Sequence, residues 1–538
     1  MRRPIVEAVG VLIVFAALTV ALTWPQAAHL RTGVPSFDDS LLSIWRIAWI
    51  AHAIGSPTSI ADANIFHPEA RTLAYTDAVL LQGIVATPFI RAGVSPVLVY
   101  NLLILGSIVL SAAATYLLAR RLTGSAPAAL VSGTIFAFVT FRFDHYMHLE
   151  LQATVFIPLA LWFLDRAFED GKWPDMAGFG ACVVLQLLSG IYYTVFLATA
   201  LALAIPVRWF FLPPARRRRF AGQLGTVSVV AALCALPYLS LYLQNRTTVG
   251  ERGESDLRLY SATPLNYLSS EPNNLAHGAW GGALGRSERR LFPGVAAIGL
   301  ALIGLVGWST RKTTIAILGG VGFVLSLGLN TPVYSWVREL VFTYRGLRAP
   351  ARAGVLVMLA VSLFAAYGWT TVLRRWPRWR LVGTGLLMSV LTLEYLTLPN
   401  DVLTLSPRPS ALARWLQQQP RSVVVELPLP KADALHAIQD GLYMYTSTFH
   451  WQPILNGYSG FYPRSYMELL DQAKDFPAEP AIAYLKRRRV DLIVLHGRFL
   501  KPDEFGHWAA TLAARRDVDQ LAQFSEPGGD DLVFRLRR

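Results

Sequence analysis

The amino-acid sequence predicts a mostly α-helical protein: a polytopic transmembrane helical bundle followed by a small C-terminal soluble α/β domain. Two observations predict this class. Hydrophobic residues make up 53% of the 538 residues and charged residues only 16%, against about 25% charged residues in soluble domains. The apolar residues also gather in long stretches, many of them close to the roughly 20 residues that cross a bilayer.

These stretches predict about 11 membrane spans. The first follows the basic start MRR and runs into Trp24 and Pro25 without a small-residue cleavage site, which favours a retained span over a cleaved signal peptide. Residues 176–207 carry no charge, are too long for one crossing, and contain the break SGIYYT, which predicts a hairpin of two helices. The other predicted spans are 97–118, 127–141, 151–164, 222–243, 293–309, 313–329, 353–373 and 381–397.

The basic residues between the spans predict how the chain is oriented. If the short apolar segment 77–90 does not cross, every basic cluster falls on the same side as MRR, and the positive-inside rule makes that side cytoplasmic. We therefore interpret 77–90 as interfacial or re-entrant, the N-terminus as cytoplasmic and the C-terminal domain as extracytoplasmic, in the inner (cytoplasmic) membrane. The net charge of +14 then reflects topology rather than nucleic-acid binding. The clusters are Arg120/Arg121, Arg216–Arg219, Arg311/Lys312 and Arg374–Arg380.

Two domains follow from the change in composition near Asn400. Residues 1–399 form the predicted transmembrane domain, whose first external loop spans 26–95 and contains interfacial helices. Residues 400–538 form the predicted α/β domain, in which RSVVVELPLP and VDLIVLHG indicate buried strands. SALARWLQQQ and AIAYLKRRR indicate helices of the same domain.

Two adjacent acids, Asp38 and Asp39, stand in the stretch PSFDDSLLSIW of the first loop. One of them can cap the helix that follows by accepting backbone N–H bonds. A second carboxylate near a bilayer surface is costly without a partner or a role. The apolar and aromatic stripe after the pair predicts that the helix lies flat at the membrane interface.

The first part of the chain resembles the GT-C class of membrane glycosyltransferases, which use polyprenyl-phosphate-linked sugars as donors. The resemblance covers the chain well up to about residue 210 and loosely beyond it. It implies an inverting transferase that moves a sugar to an envelope glycan, lipid or protein acceptor, with Asp39 as general base and Asp38 as its helper. Class members differ in whether they use a divalent cation, and the sequence leaves Mg or Mn open. The stretches that carry the resemblance are FDDSLLSIWRIAWIAHAI, DANIFHPEARTLAYTDAVLLQG, SPVLVYNLLILGS and FRFDHYMHLELQ.

A second polar group lies in FRFDHYMHLELQ, where His145, His148 and Glu150 follow a predicted span. His145 and His148 share a face if this turn is helical, and such a pair can bind metal, although no third ligand lies nearby. Contact with the donor phosphate or with the base, and structural hydrogen bonding, are the other interpretations. Asp77 is a further candidate for the second acid of the site, or an exposed loop charge.

Three arginines, Arg345, Arg348 and Arg352, lie in YRGLRAPARAG on the predicted outer side, against the positive-inside pattern. Arginine binds phosphate through strong charge-assisted hydrogen bonds, which favours the lipid-linked phosphate as their partner. Nonspecific binding of anionic lipid headgroups is the alternative.

The aromatic stretch YMYTSTFHWQPILNGYSGFYPRSY in the tail contains His450, Trp451 and Asn456. Aromatic faces with amide groups suit sugar rings, and the alternative is a glycine-rich loop packed on its own domain. A transporter or flippase of lipid-linked saccharides would carry charges near the middle of its spans, and these spans are nearly uncharged. A non-catalytic membrane scaffold is the third interpretation. The two cysteines, Cys182 and Cys234, exclude a disulfide framework and a Cys-based metal site.

Overall fold

The computed structural model describes residues 2–398, 400–430, 437–526 and 528–537. The chain divides into two compact units, each assembled from three stretches of sequence. Unit 1 comprises Met1–His29, Asn101–Tyr238 and Glu251–Asp401. Unit 2 comprises Leu30–Tyr100, Leu239–Gly250 and Val402–Arg538. The first stretch of unit 2 covers most of the predicted first loop, 26–95, and its last stretch begins at Val402, so the two units do not coincide with the ranges 1–399 and 400–538. The division into those two domains stays a prediction.

Helices account for most of the described residues, as the composition predicts. The helices of the first half are α1 (Arg2–Leu22), α2 (Asp39–Ala53), α3 (Leu80–Arg91), α4 (Pro96–Thr123), α5 (Ala126–Phe138), α6 (Thr140–Asp144), α7 (Leu149–Gln152), α8 (Phe156–Asp170), α9 (Trp173–Ser189), α10 (Ile191–Phe210) and α11 (Pro214–Val249). Those of the second half are α12 (Glu254–Leu259), α13 (Gly278–Gly281), α14 (Val295–Gly304), α15 (Thr310–Ser326), α16 (Pro332–Leu340), α17 (Gly354–Arg375), α18 (Arg380–Tyr395), α19 (Ala411–Gln418), α20 (Ala437–Ser447), α21 (Arg464–Gln472), α22 (Glu479–Arg487) and α23 (Pro502–Ala513).

Seven helices within the described part of the chain are long and apolar enough to cross a membrane. This length and composition support a multi-pass membrane protein. Several other predicted spans form shorter helices: α9 and α15 have 17 residues each, α18 has 16 and α14 has 10. The total of about 11 spans, each of roughly 20 residues, stays a prediction. The seven are Ile5–Leu22, Pro96–Thr123, Ala126–Asp144, Leu149–Asp170, Ile191–Phe210, Pro214–Val249 and Pro350–Arg375.

One local prediction about the apolar segments is confirmed, whereas the interfacial or re-entrant placement of 77–90 stays a prediction. The charge-free range 176–207 divides into α9 and α10 on either side of Gly190, as the break SGIYYT predicts. The segment 77–90 contributes α3, which has 12 residues and is therefore about 18 Å long. Such a helix is shorter than the hydrocarbon core of a bilayer, about 30 Å.

The prediction of an interfacial helix after the acid pair is wrong for α2. Every residue from Ser40 to Ala51 is buried, so the helix has no exposed face to lie on a membrane. Within unit 2 it packs against α3 and α20. The packing is close: a Cβ on Gly83 of α3 would come within 2.3 Å of Ile50, and one on Gly441 of α20 within 2.7 Å of the Phe37 carbonyl oxygen.

A buried acid organises one end of unit 1. The carboxylate of Asp165, near the end of α8, accepts hydrogen bonds from Arg121 of α4 at 2.7 Å and from Arg208 of α10 at 2.6 Å. Arg311 at the start of α15 donates to both oxygens of the same carboxylate at 3.0 and 2.9 Å. Arg216 donates to the Phe168 carbonyl oxygen in the same helix. Three of the predicted basic clusters therefore meet at one end of the unit, as the topology argument requires.

A four-stranded sheet forms the core of the C-terminal part of unit 2. Its order is β3-β4-β6-β5, with β3 parallel to β4 and the other pairs antiparallel. The predicted strands and helices of this region are confirmed as β3, β4, α19 and α22, whereas the hairpin β5–β6 was not predicted. The strands are β1 (Gly33–Val34), β2 (Leu403–Thr404), β3 (Val424–Leu427), β4 (Leu492–His496), β5 (Val518–Glu526) and β6 (Gly529–Leu536).

We expect Asp165→Ala to lower the free energy of unfolding by about 3 kcal/mol, because it leaves three arginines without the buried carboxylate that neutralises them. Thermal unfolding of the purified protein in detergent measures this. Asp170→Ala is the matched control on the same helix, since among the described residues the exposed Asp170 forms an ion pair only with exposed Lys172, at 3.8 Å, and such pairs contribute about 0–1 kcal/mol. Equal losses in the two variants would contradict the assignment.

Candidate functional site

The two acids of the first loop occupy different positions at the start of α2. Asp38 is the N-cap, and its Oδ1 accepts the backbone N–H of Asp39 at 2.6 Å. Asp39 is the first residue of the helix and is partly exposed. The hydroxyl of Tyr458 donates to its Oδ1 at 3.1 Å. The capping interpretation therefore accounts for Asp38 and leaves Asp39 for another purpose.

Tyr458 lies in a loop whose backbone is fixed against the first-loop segment of unit 2. The N–H of Phe66 donates to the Asn456 carbonyl oxygen at 3.1 Å, and the N–H of Phe461 donates to the Tyr75 carbonyl oxygen at 3.0 Å. A Cβ on Gly457 would come within 2.6 Å of the Phe66 ring. The chain can therefore approach Phe66 this closely only with glycine at this position.

Asn64 links the first-loop segment to the residues that follow α20. Its Oδ1 accepts the indole N–H of Trp45 at 3.1 Å, and its Nδ2 donates to Ser447 Oγ and to the Gln452 carbonyl oxygen, both at 3.1 Å. Trp451, at φ +55°, stacks on His52 with ring centroids 4.3 Å apart. His450 is buried, and burial lowers the pKa of its ring to about 4. His450 and Trp451 therefore pack inside unit 2 together with α2.

Asn456 is fully buried, and its side chain forms hydrogen bonds with the backbone of β3. Its Oδ1 accepts the N–H of Glu426 at 2.8 Å, and its Nδ2 donates to the Glu426 carbonyl oxygen at 3.0 Å. A second contact joins Nδ2 to Asp440 Oδ1 at 3.4 Å. The amide therefore binds backbone in the structure, which agrees with the packed-loop alternative for this residue.

A buried histidine between two carboxylates lies at the carboxyl end of β4. His496 Nε2 lies 2.5 Å from Glu426 Oε2 and its Nδ1 lies 2.9 Å from Asp531 Oδ1. Burial opposes the charge of His496, but the hydrogen bonds to Asp531 and Glu426 outweigh it and raise the pKa of the ring to about 9. Burial raises the pKa of the nearby Asp440 carboxyl to about 7.

The arginines of YRGLRAPARAG belong to unit 1 and differ in their partners. Arg352 is buried and forms a bidentate ion pair with Glu288, with Nε 2.8 Å from Oε2. Arg345 is partly exposed and lies 3.6 Å from Glu251. Arg348 stacks on Tyr260 at 5.4 Å, and no described carboxylate lies within ion-pair distance of its guanidinium. Of the three, Arg348 is the one whose charge is least compensated by the described residues.

Arg252 joins this group, although the sequence argument did not identify it. Its N–H donates to the Arg345 carbonyl oxygen at 3.1 Å, and its own carbonyl oxygen accepts from Arg338 at 2.8 Å. Burial lowers the pKa of Arg252, and the charges of Arg348 and Arg352 lower it further. The long loop before α14 therefore adds positive charge beside Arg348.

His145 and His148 do not lie on the shared helical turn that the metal interpretation assumed. Helix α6 ends at Asp144, so His145 and His148 do not share a helical turn, and their rings meet edge-to-face with centroids 5.7 Å apart. Burial lowers the pKa of His145 to about 3. Its Nδ1 lies 3.8 Å from Glu288. His148 and Glu150 are also largely buried in unit 1.

Glu288 is the centre of this buried group and was not anticipated. Burial raises the pKa of its carboxyl, but the charge of Arg352 outweighs burial and holds that pKa well below its usual range. Its N–H donates to Asp144 Oδ2 at 2.6 Å, and its φ is +70°. This left-handed backbone is uncommon outside glycine and often occurs at functional sites.

Asp77 lies in unit 2 and is buried, so it is not the exposed loop charge of the alternative interpretation. Its carbonyl oxygen accepts a hydrogen bond from the buried guanidinium of Arg46. For a metal, the described residues contain no group of three or more His, Cys, Asp or Glu side chains placed to hold an ion. The reaction steps proposed below are assigned to side chains of this chain alone.

Comparisons with known proteins identify the family. The model described as "Domain of unknown function (DUF6311)" matches residues 9–391. The chain belongs to the DUF6311 family. No curated protein matches this DUF6311 chain in sequence.

Two solved structures resemble this chain. The oligosaccharyltransferase of Archaeoglobus fulgidus in the apo form matches with a TM-score of 0.50 and 12% identity, covering 98% of this DUF6311 chain and 74% of that chain. ArnT from Cupriavidus metallidurans bound to undecaprenyl phosphate matches with a TM-score of 0.48 and 11% identity, covering 98% of each chain. The likeness to the oligosaccharyltransferase shows a shared fold.

We expect the stability of unit 2 to fall as the pH rises through about 9, because the raised pKa of His496, against an ordinary 6.5, stabilises the folded state only while the ring is charged. The stabilisation is fully present below pH 6.5. The unfolding temperature of the wild type should therefore drop several degrees more between about pH 7 and 9.5 than that of His496→Gln, which does not titrate. Scanning fluorimetry at both pH values compares them, and identical pH dependence would contradict the assignment.

Proposed function

We propose that this chain is an inverting GT-C-type glycosyltransferase that moves a sugar from a polyprenyl-phosphate-linked donor to an envelope glycan, lipid or protein acceptor. The reaction takes place on the outer face of the inner (cytoplasmic) membrane, with the N-terminus cytoplasmic and the C-terminal domain extracytoplasmic. The GT-C fold, the apolar helices and the basic clusters at one end of unit 1 support this proposal.

The placement of Asp39 carries the proposal. Asp38 serves as the helix cap, so the cap does not require the second carboxylate. Asp39 lies at the positive end of the α2 dipole, which favours its ionised form. An ionised, partly exposed carboxylate can accept a proton from an acceptor hydroxyl, as a general base must. Asp38 assists by fixing the N-terminus of the helix that carries the base.

The chemical step is a single displacement. Asp39 takes the proton of the acceptor hydroxyl, and the acceptor oxygen forms a bond to the anomeric carbon of the sugar. The bond between that carbon and the phosphate oxygen breaks, and the polyprenyl phosphate leaves with the electron pair. The configuration at the anomeric carbon is inverted.

The arginines of unit 1 provide the phosphate-binding group. Arg348 is the main ligand because the described residues give its guanidinium no carboxylate partner. Arg345 adds charge at the same turn, and Arg252 lies close enough to both Arg348 and Arg352 for its pKa to respond to their charges. Arg352 acts through its ion pair with Glu288, which holds the strained backbone of that loop.

The remaining predicted substrate residues fall into three groups. His145 and His148 lie close enough to Glu288 for their charges to act on it, and Glu150 lies close enough to Arg352 to do the same. We therefore assign these three residues to the lining of the donor region. Asp77 supports α2 through Arg46. His450, Trp451 and Asn456 shape the aromatic loop that carries Tyr458, and we propose that this loop contributes to acceptor binding.

We expect Asp39→Asn to reduce sugar transfer by a factor of about 100 to 10,000, because amide cannot act as general base. Transfer from radiolabelled polyprenyl-phosphate sugars in isolated membranes measures this. Asp62→Asn is the matched control in the same unit, since the Asp62 carboxylate accepts the Arg71 N–H at 2.7 Å, a role the amide oxygen can keep. Undiminished transfer by well-folded Asp39→Asn would remove Asp39 as the base and favour a non-catalytic scaffold.

We expect Arg348→Ala to weaken donor binding by a factor of about 10 to 100, because a charge-assisted hydrogen bond contributes about 1.5–3 kcal/mol. The concentration of polyprenyl phosphate that half-saturates the purified protein, followed by native mass spectrometry, measures this. Arg258→Ala is the control, because Arg258 is exposed and, within the described ranges, its one ion pair is with exposed Glu254 at 3.4 Å. Binding that is unchanged in Arg348→Ala would contradict the assignment of the phosphate ligand.

A further inference from the structure

We propose that Tyr458 is a positioning residue for Asp39, fixing the orientation of the carboxylate that acts as base; this rests on the proposed function. The two residues are separated by 419 positions in sequence, and the Tyr458 hydroxyl donates to Asp39 Oδ1 at 3.1 Å. Both side chains are partly exposed. The hydrogen bond therefore lies where an acceptor can reach the carboxylate.

The tyrosine reaches Asp39 from a rigid support. On one side, Asn456 exchanges two hydrogen bonds with the backbone of Glu426 in β3. On the other, a Cβ on Gly460 would lie 3.1 Å from the Tyr75 carbonyl oxygen, so the loop lies directly against the first-loop segment. Between these points, the N–H of Tyr458 donates to Met444 Sδ at 3.0 Å.

The backbone that carries the Asp39 carboxylate is also held in place. Asp39 is the first residue of α2, and the Leu42 N–H donates to the Asp38 carbonyl oxygen at 3.0 Å, which closes the first turn. The backbone before the helix is held where Gly441 of α20 comes against the Phe37 carbonyl oxygen. With both backbones fixed, the hydroxyl restricts rotation of the Asp39 side chain.

The chemistry of this contact has two consequences. A phenol that donates to one carboxylate oxygen orients the group, and a general base must lie within hydrogen-bond reach of the proton that it takes. A donor also stabilises the ionised form of a carboxylate. Loss of the hydroxyl therefore slows the chemical step and makes Asp39 easier to protonate, whereas a purely structural tyrosine would change neither.

The test compares Tyr458→Phe with Tyr445→Phe. Tyr445 lies in the same unit, and its hydroxyl donates to the Ser406 carbonyl oxygen at 2.6 Å, so each variant loses a hydroxyl that donates a hydrogen bond. The first readout needs no substrate: carbodiimide modifies protonated carboxyls, and mass spectrometry follows the modification of Asp39 against pH. We expect its pH midpoint to rise by about 1 in Tyr458→Phe and to stay unchanged in Tyr445→Phe.

The second readout is sugar transfer. In Tyr458→Phe we expect kcat to fall about tenfold with an unchanged KM for the donor, and in Tyr445→Phe neither value changes. An unmoved modification midpoint together with unchanged kcat in Tyr458→Phe would overturn the positioning role. If Asp39→Asn retains transfer while the midpoint still moves in Tyr458→Phe, the proposed role of Asp39 as base fails but the contact stands. The two failures are therefore distinguishable.

Discussion

The joining of two distant stretches of chain within unit 2 is the constraint on which the acidic site depends. The N–H of His67 donates to the Ile454 carbonyl oxygen at 3.0 Å, and the N–H of Ile454 donates to the Asn64 carbonyl oxygen at 2.8 Å. These bonds align the first-loop segment with the loop after α20. Because the alignment fixes the register of both, Tyr458 lies opposite Asp39.

In unit 1, buried carboxylates form ion pairs with arginines. Asp165 gathers three arginines at one end, and Glu288 neutralises Arg352 inside the fold. A buried charge without a partner is costly, and Asp165, Glu288 and Arg352 each pair with a side chain of opposite charge. Arg348 departs from this rule among the described residues, and the departure is what makes it the best candidate ligand for an external anion.

Much of the fold was readable from the sequence, because runs of apolar residues and the break at Gly190 are local signals. Strands β3 and β4 were predicted from their apolar runs for the same reason. The environment of α2 was not, since its burial depends on α20, which lies almost 400 positions away. The roles of Glu288, Arg252 and Tyr458 were missed because each is defined by a partner distant in sequence. The GT-C resemblance already favoured Asp39 over Asp38 as the candidate base, and the contacts add that Asp38 is the cap of α2.

The long separation between Asp39 and Tyr458 also has a consequence during biosynthesis. The acid leaves the ribosome 419 residues before its hydrogen-bond partner, a delay of roughly 20 to 80 s at ordinary translation rates of about 5–20 residues per second. During that interval most of the apolar helices have been synthesised, but Asp39 lacks its hydrogen bond to Tyr458. Premature termination before residue 458 thus yields a membrane-inserted chain that cannot complete this contact.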